Sequence, residues 1–332
     1  MQKIHFSMIL NLAIIHALAT ACIPSKTSYF TDSGNLNTDT GTDTQIDDTS
    51  TTDTNSNDTS DANAISTWDI DSIDMLLQSG PYSVSNSAGT ASVSSCTSGM
   101  KYTQFISSNT NSPTIILSHG FARGSGNMMD WGSHFSSYGF DVYVVDLCHA
   151  SFFDANHPQN GEDLVEFSNS MNIAAPIFMG HSAGGLASVI AGSIHPDTLG
   201  VFGLDATNDG SSSGNSYAPS ITAMSLELVG IPSDCNSQNN GVDLFKSIAD
   251  SQIIRVTDAD HCDFESPTDG LCTTFCSNNA ASISDVDIQN HIKALSTAGL
   301  LWMTGLNASA KDLWTGALAN EMLSNGSIEI LQ

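Results

Sequence analysis

Pro176-Ile177-Phe178-Met179-Gly180-His181-Ser182-Ala183-Gly184-Gly185-Leu186-Ala187-Ser188-Val189-Ile190 is the stretch on which the reading of the fold turns. Its first four residues form a short apolar run suited to a buried strand, and from Ala183 onward small and apolar residues suit a helix lying close to a sheet. Ser182 stands between the two in the pattern Gly-x-Ser-x-Gly. A serine on so sharp a strand-to-helix turn is strained, and the turn forms only if its neighbours lack bulky side chains. Ser182 is therefore the candidate nucleophile.

Working outward from this turn, short apolar runs alternate with amphipathic stretches. Tyr102 to Ser107, Thr114 to Ser118, Asp141 to Leu147, Pro176 to Met179, Gly200 to Asp205, Ala223 to Val229 and Gln252 to Val256 read as strands. Asn127 to Tyr138, Gly161 to Met171, Ala183 to Ile194 and Val242 to Ala249 read as helices between them, and Asp285 to Leu301 and Ala310 to Leu323 as two more at the end. The alternation predicts an α/β fold with a mostly parallel central sheet flanked by helices. Trp302 and Trp314 are read as core residues of the last helices.

An oxyanion formed at Ser182 needs two donors, and the residue after the nucleophile supplies one through the Ala183 N–H. The run Thr114 to Ser118 ends in His119-Gly120-Phe121, where Gly120 relieves crowding and the Phe121 N–H is expected to be the second donor. His119 is read as a structural residue of that turn. In the chain order serine, acid, histidine, the base lies C-terminal to Ser182, and the choices are His195, His261 and His291. His261 follows the last strand in a loop that can reach a strand-end serine. His195 reads as a helix-terminal cap, and His291 falls inside a helix. Metal ligation by His261 with Asp258 or Asp260 is the alternative use of that loop. For the acid, Asp205 ends an apolar strand and Asp234 lies beyond the next one, with Asp209 third; each could instead be a solvated loop carboxylate.

The 332 residues are 40% hydrophobic, enough for one large core, and carry 8 Lys+Arg against 35 Asp+Glu, a formal charge of -27. Such a surface repels nucleic acid and anionic membranes, so neutral substrates are expected, although a local cation such as Arg123 could still act at a site. Met1 to Cys22 has Lys3 at a short basic start, an apolar run from Met8 to Leu18 and small residues before Cys22. It reads as an export signal. The end is similar to the lipobox of bacterial lipoproteins, with Ala19 where most carry Leu, so residues 1–22 are expected to be a signal peptide with Cys22 as the lipid attachment point and only membrane link. Residues 23–64, rich in Thr, Asp and Ser, cannot bury a core and read as a disordered spacer. Residues 65–332 form the catalytic domain, expected to be a monomer. The six cysteines Cys96, Cys148, Cys235, Cys262, Cys272 and Cys276 are expected to pair as disulfides in an oxidising compartment, zinc at Cys272-x-x-x-Cys276 being the other reading.

Taken together, Ser118-His119-Gly120-Phe121, Gly180-His181-Ser182-Ala183-Gly184-Gly185, Gly203-Leu204-Asp205-Ala206-Thr207-Asn208-Asp209-Gly210, and His261-Cys262-Asp263-Phe264 with Cys272 and Cys276 resemble the α/β-hydrolase branch that contains chlorophyllases and cutinase-like polyester (PET) hydrolases. The resemblance spans roughly Val84 to Leu301. It implies an α/β-hydrolase fold, and it favours Asp205 as the acid, because the chlorophyllase pattern uses the aspartate at that point whereas the polyester hydrolases use the one a strand later. Chlorophyllases carry Arg at the position of Ala183 and are not exported in this way, so chlorophyll is not the expected substrate.

The expected activity is hydrolysis of neutral carboxylic esters by Ser182, His261 and Asp205, with no metal or cofactor. Peptidase or amidase activity on the same triad, and a non-catalytic surface binding lipoprotein, are the alternatives. Only about 17 residues, Ala206 to Thr222, separate two strands at the point where lids commonly enter, so no large lid is expected. Phe121, Met128, Trp131 and His181 would rim the open site, the other reading of Met128 and Trp131 being the buried stripe of a helix.

Overall fold

The computed structural model describes residues 69–277 and 281–332; the expected export signal, Cys22 and the spacer fall outside them. A nine-stranded sheet organises this unit in the order β1 (Val84–Ala91), β2 (Met100–Ser107), β4 (Asp141–Val145), β3 (Thr114–Ser118), β7 (Pro176–His181), β8 (Gly200–Leu204), β9 (Met224–Val229), β10 (Ser251–Val256), β11 (Ile328–Ile330). The six strands from β4 to β10 are mutually parallel, and antiparallel pairing occurs only toward the edges, at β1, β2 and β11. Two-residue strands β5 (Ala150–Ser151) and β6 (Asp154–Ala155) form a separate hairpin.

Parallel strands covered on both faces read as unbroken apolar runs, and β7 and β8 are buried at every position. Their alternation fixes two layers of core. Ile115, Leu117, Ile177, Met179, Phe202 and Leu204 face α1 (Met129–Ser137) and the long helix Asp285–Thr304. Ile116 and Phe178 face α2 (His157–Ser170) and α3 (Ala183–Ile194), and Val201 and Ile253 face α3 and α4 (Asn240–Lys246). A short α5 spans Gly270–Cys276, which makes the long helix α6.

Every strand and helix expected in the body of the domain is present, with ends shifted by a few residues. The expected helix Ala310 to Leu323 is instead interrupted at Gly316 into Asp312–Thr315 and Ala317–Ser324, with the Asp312 carboxylate accepting from the N–H groups of Ala317 and Leu318. Trp314 is buried as expected, whereas Trp302 is half-buried beneath the Lys311 ammonium. Strand β1 went unread because Val-Ser-Asn-Ser-Ala-Gly-Thr-Ala is a mostly exposed edge with no apolar face to recognise. The connection from β8 to β9 holds two 3₁₀ turns, Ser213–Ser216 and Ala218–Ser220, and no helical lid.

The six cysteines form three disulfides, Cys96–Cys148, Cys235–Cys276 and Cys262–Cys272. Cys272 and Cys276 therefore bond to different partners, and neither thiolate is free to ligate zinc. No helix among the described residues is long and apolar enough to cross a membrane.

Candidate active site

Ser182 sits at φ 56°, ψ −125°, a backbone region that L residues seldom occupy, between the end of β7 and the first residue of α3. Steric room makes the turn possible. A Cβ on Gly180 would lie 2.3 Å from the Gly184 carbonyl oxygen, and one on Gly184 would lie 2.5 Å from that of His119. Glycine at both places lets β7, α3 and the loop after β3 meet at van der Waals distance. Ala183 begins α3, so its N–H has no acceptor one turn back within the helix and is free to act as a donor.

Gly120 packs directly on Ser182: a Cβ there would be 2.9 Å from the Ser182 Cβ. That contact places Phe121 beside the serine. The turn is braced by His119, whose Nε2 accepts from the Leu147 N–H at 3.0 Å, leaving Nδ1–H to donate to the Gly120 carbonyl at 2.8 Å. Burial lowers the His119 pKa, consistent with this neutral tautomer.

His261 opens a 3₁₀ turn just past β10, fixed by a reciprocal cap between Asp260 and Asp263. Its Nε2 lies 2.9 Å from Ser182 Oγ and its Nδ1 2.6 Å from Asp205 Oδ2. The carboxylate can only accept, so it holds the proton on Nδ1 and leaves Nε2 to receive the serine proton. Asp205 is fully buried at φ 47°, and its Oδ1 accepts from the Gly230 N–H at 3.0 Å. The other acid considered, Asp234, is exposed and accepts from Gln238. Asp209 ties Ser211 and Ser213 in its own turn. His195 closes α3 and accepts from the Asp197 N–H, and His291 lies within α6. Asp258 is taken up by Ser282 and Asp260 by its cap.

The expected rim requires correction at three of its four positions. Met128, Trp131 and His181 are buried, because α1 turns its apolar stripe onto the sheet and Trp131 Nε1–H donates to the Phe264 carbonyl at 2.9 Å. His181 is neutral, its pKa held well down by burial and by His261 beside it, and its Nε2–H donates to the His261 carbonyl at 3.0 Å. Phe121 alone keeps a rim position, half-buried and edge-on to Phe152 at 5.1 Å between ring centroids. Phe152 and Phe153 stand on the β5–β6 hairpin, which the Ala122 N–H ties to the Ala150 carbonyl; Phe153 is 93% exposed. Sequence reading missed this hairpin because its strands are two residues long. Arg123 is not free for a substrate: it forms a bidentate pair with buried Glu265 at 2.6 Å and reaches Asp269 at 2.9 Å.

No protein-family model matches this chain, and a search of curated proteins finds none similar to it in sequence.

Proposed function

We propose that this chain is an exported serine hydrolase of neutral carboxylic esters, built on the α/β-hydrolase architecture. The observation that carries the reading is the unbroken line from Ser182 Oγ through His261 to Asp205, at 2.9 and 2.6 Å, starting on a strained residue at the foot of a helix. The chain order of the three, each at the C-terminal end of a parallel strand, suits that architecture.

Ser182 Oγ attacks the ester carbonyl as His261 Nε2 takes its proton, and Asp205 stabilises the imidazolium. The Ala183 and Phe121 N–H groups face the developing oxyanion. The imidazolium then protonates the departing alkoxide, and water, deprotonated by the same nitrogen, releases the acid from the acyl-enzyme. Phe121, next to the Gly120 that packs on Ser182, and Phe152 against it offer apolar surface, and the nearby cation Arg123 is neutralised by two carboxylates, which favours an uncharged ester over an anionic one. Three disulfides support passage into an oxidising compartment.

The test is turnover of short p-nitrophenyl esters and labelling by a fluorophosphonate, by the parent and by Ser182→Ala. The parent is expected to turn over and to label once, and the variant to lose on the order of 10⁶ in kcat with the fold intact. Absence of labelling in the parent would sink the reading in favour of a binding protein. Amides in the same panel separate an esterase from an amidase.

A further inference from the structure

We propose that Asn236 is a positioning residue for the triad acid, holding the Asp205 carboxylate in the orientation that receives His261; the inference rests on the serine hydrolase reading above. Among the described residues, Asn236 is the one side chain other than His261 that donates to Asp205, through Nδ2 to Oδ2 at 3.1 Å and to Oδ1 at 3.4 Å. The oxygen it reaches at 3.1 Å is the one that accepts from His261 Nδ1. The same Nδ2 donates to the Ile231 carbonyl at 2.7 Å, and Oδ1 accepts from the N–H groups of Ser233 at 2.8 Å and Asn239 at 3.2 Å. All of these partners agree on which end of the amide is nitrogen, since a flipped amide would set its oxygen against a carboxylate and a carbonyl and its nitrogen against two donors.

Asn236 is fully buried, so water does not replace it. Its loop is also fixed covalently: Cys235 bonds to Cys276 at one end of α5, while Cys262, next to His261, bonds to Cys272 in the same seven-residue helix. The acid's second donor and the base are thereby referred to one short helix. Donors prefer to lie near the plane of a carboxylate, so two on Oδ2 and the Gly230 N–H on Oδ1 restrain that plane, and the direction of the Nδ1 bond follows from it. Loss of one buried hydrogen bond to a charged group corresponds to roughly a ten- to hundredfold effect. Because the bond acts on the base through the acid, that effect belongs in kcat rather than in KM.

Asn236→Asp gives the sharpest test. It is nearly the same shape and keeps an oxygen for the Ser233 and Asn239 N–H groups, so what changes is the donor to Asp205 and to the Ile231 carbonyl. The carboxyl it introduces, crowded against Asp205, titrates at raised pH. While protonated, its single O–H can still donate to Asp205, at the cost of the bond to the Ile231 carbonyl; once ionised it donates to neither, and it repels the acid. The parent is expected to reach an activity plateau as pH rises. The variant is expected to approach parent kcat only on the acidic side and to fall at least tenfold below it by about pH 9, with an added descending limb. Asp205, Glu227, His261, Asp263 and the more distant Asp234 and Asp260 are common to both proteins, so a new limb belongs to the introduced group. Asn236→Ala is the second variant, expected to lose roughly tenfold or more in kcat at every pH with KM within about twofold. A parent-shaped profile for Asn236→Asp, or, should that variant fail to fold, kcat for Asn236→Ala within about twofold of the parent, would overturn the inference. Failure of the parent itself to react with a fluorophosphonate would instead strike the underlying hydrolase reading.

Discussion

Ser182 and His261 lie within hydrogen-bond distance, yet the loops that carry them are held by different means. The turn that carries Ser182 is local: Gly180, Ser182 and Gly184 fall within five consecutive positions, and Cβ-free contact between β7, α3 and the loop after β3 makes its shape. Asp205, Asn236 and His261 come instead from three loops that leave β8, β9 and β10. They are fastened by two disulfides, by the Arg123–Glu265 pair and by hydrogen bonds spanning large sequence separations, among them Trp131 to Phe264 and the Ser266 N–H to the Asn127 carbonyl. One region is shaped by exclusion and the other by cross-links. They should therefore fail differently.

The largest stability effect is expected at the ion pair. Glu265→Ala leaves a mostly buried guanidinium with only the half-exposed Asp269, and a broken buried pair costs about 3–5 kcal/mol. Urea unfolding of the variant measures it, and a loss under about 1 kcal/mol would mean that Asp269 alone satisfies Arg123.

Removing a cross-link comes next. Cys262→Ser with Cys272→Ser should cost about 2–4 kcal/mol and lower kcat, because His261 adjoins the bond. Treating the parent with dithiothreitol, followed by activity and thermal denaturation, extends the comparison to the loss of all three disulfides. Unchanged activity in the fully reduced protein would show that hydrogen bonds alone hold the base.

On the other side of the comparison, Gly184→Ala should destabilise by only about 1–3 kcal/mol, since one methyl forces the His119 carbonyl and α3 apart. Its activity should nonetheless drop about a hundredfold, because a shift of about 1 Å at the nucleophile is enough. The predicted signature is a large kcat loss with a small stability loss, the reverse of Glu265→Ala.

A pH dependence is also expected in the loop that carries His261. Burial, with the Asp260 charge close by, raises the Asp263 carboxyl to about 7. The folded state thus holds this proton more tightly than the unfolded chain, whose carboxyl titrates near 3.9. The sign follows: the contribution is full below about pH 4 and is lost as pH rises through about 7. Asp263→Asn, which keeps an acceptor for the Asp260 N–H, should flatten stability across that window by up to about 4 kcal/mol in denaturant titrations at successive pH values.

The sequence by itself determined the α/β class, the parallel sheet, the sharp turn at Ser182 and the short list of histidines. Each of these is written in contiguous residues: strand periodicity, glycines at fixed offsets, a histidine just beyond an apolar run. Its strand pattern left Asp205 and Asp234 both open, one ending an apolar strand and the other in the loop beyond the next, and only the family resemblance favoured Asp205. Tertiary structure settled where each goes, by turning Asp205 inward at positive φ and leaving Asp234 exposed beside the cysteine that is bonded to α5. It likewise buried Met128, Trp131 and His181, since the face that a helix or strand end presents depends on what packs against it. The disulfide pairing, the Asn236 bond to Asp205 and the contact of Phe152 with Phe121 were invisible for the same reason: each is a contact between residues distant in the chain, and spacing along a sequence carries no record of such distances.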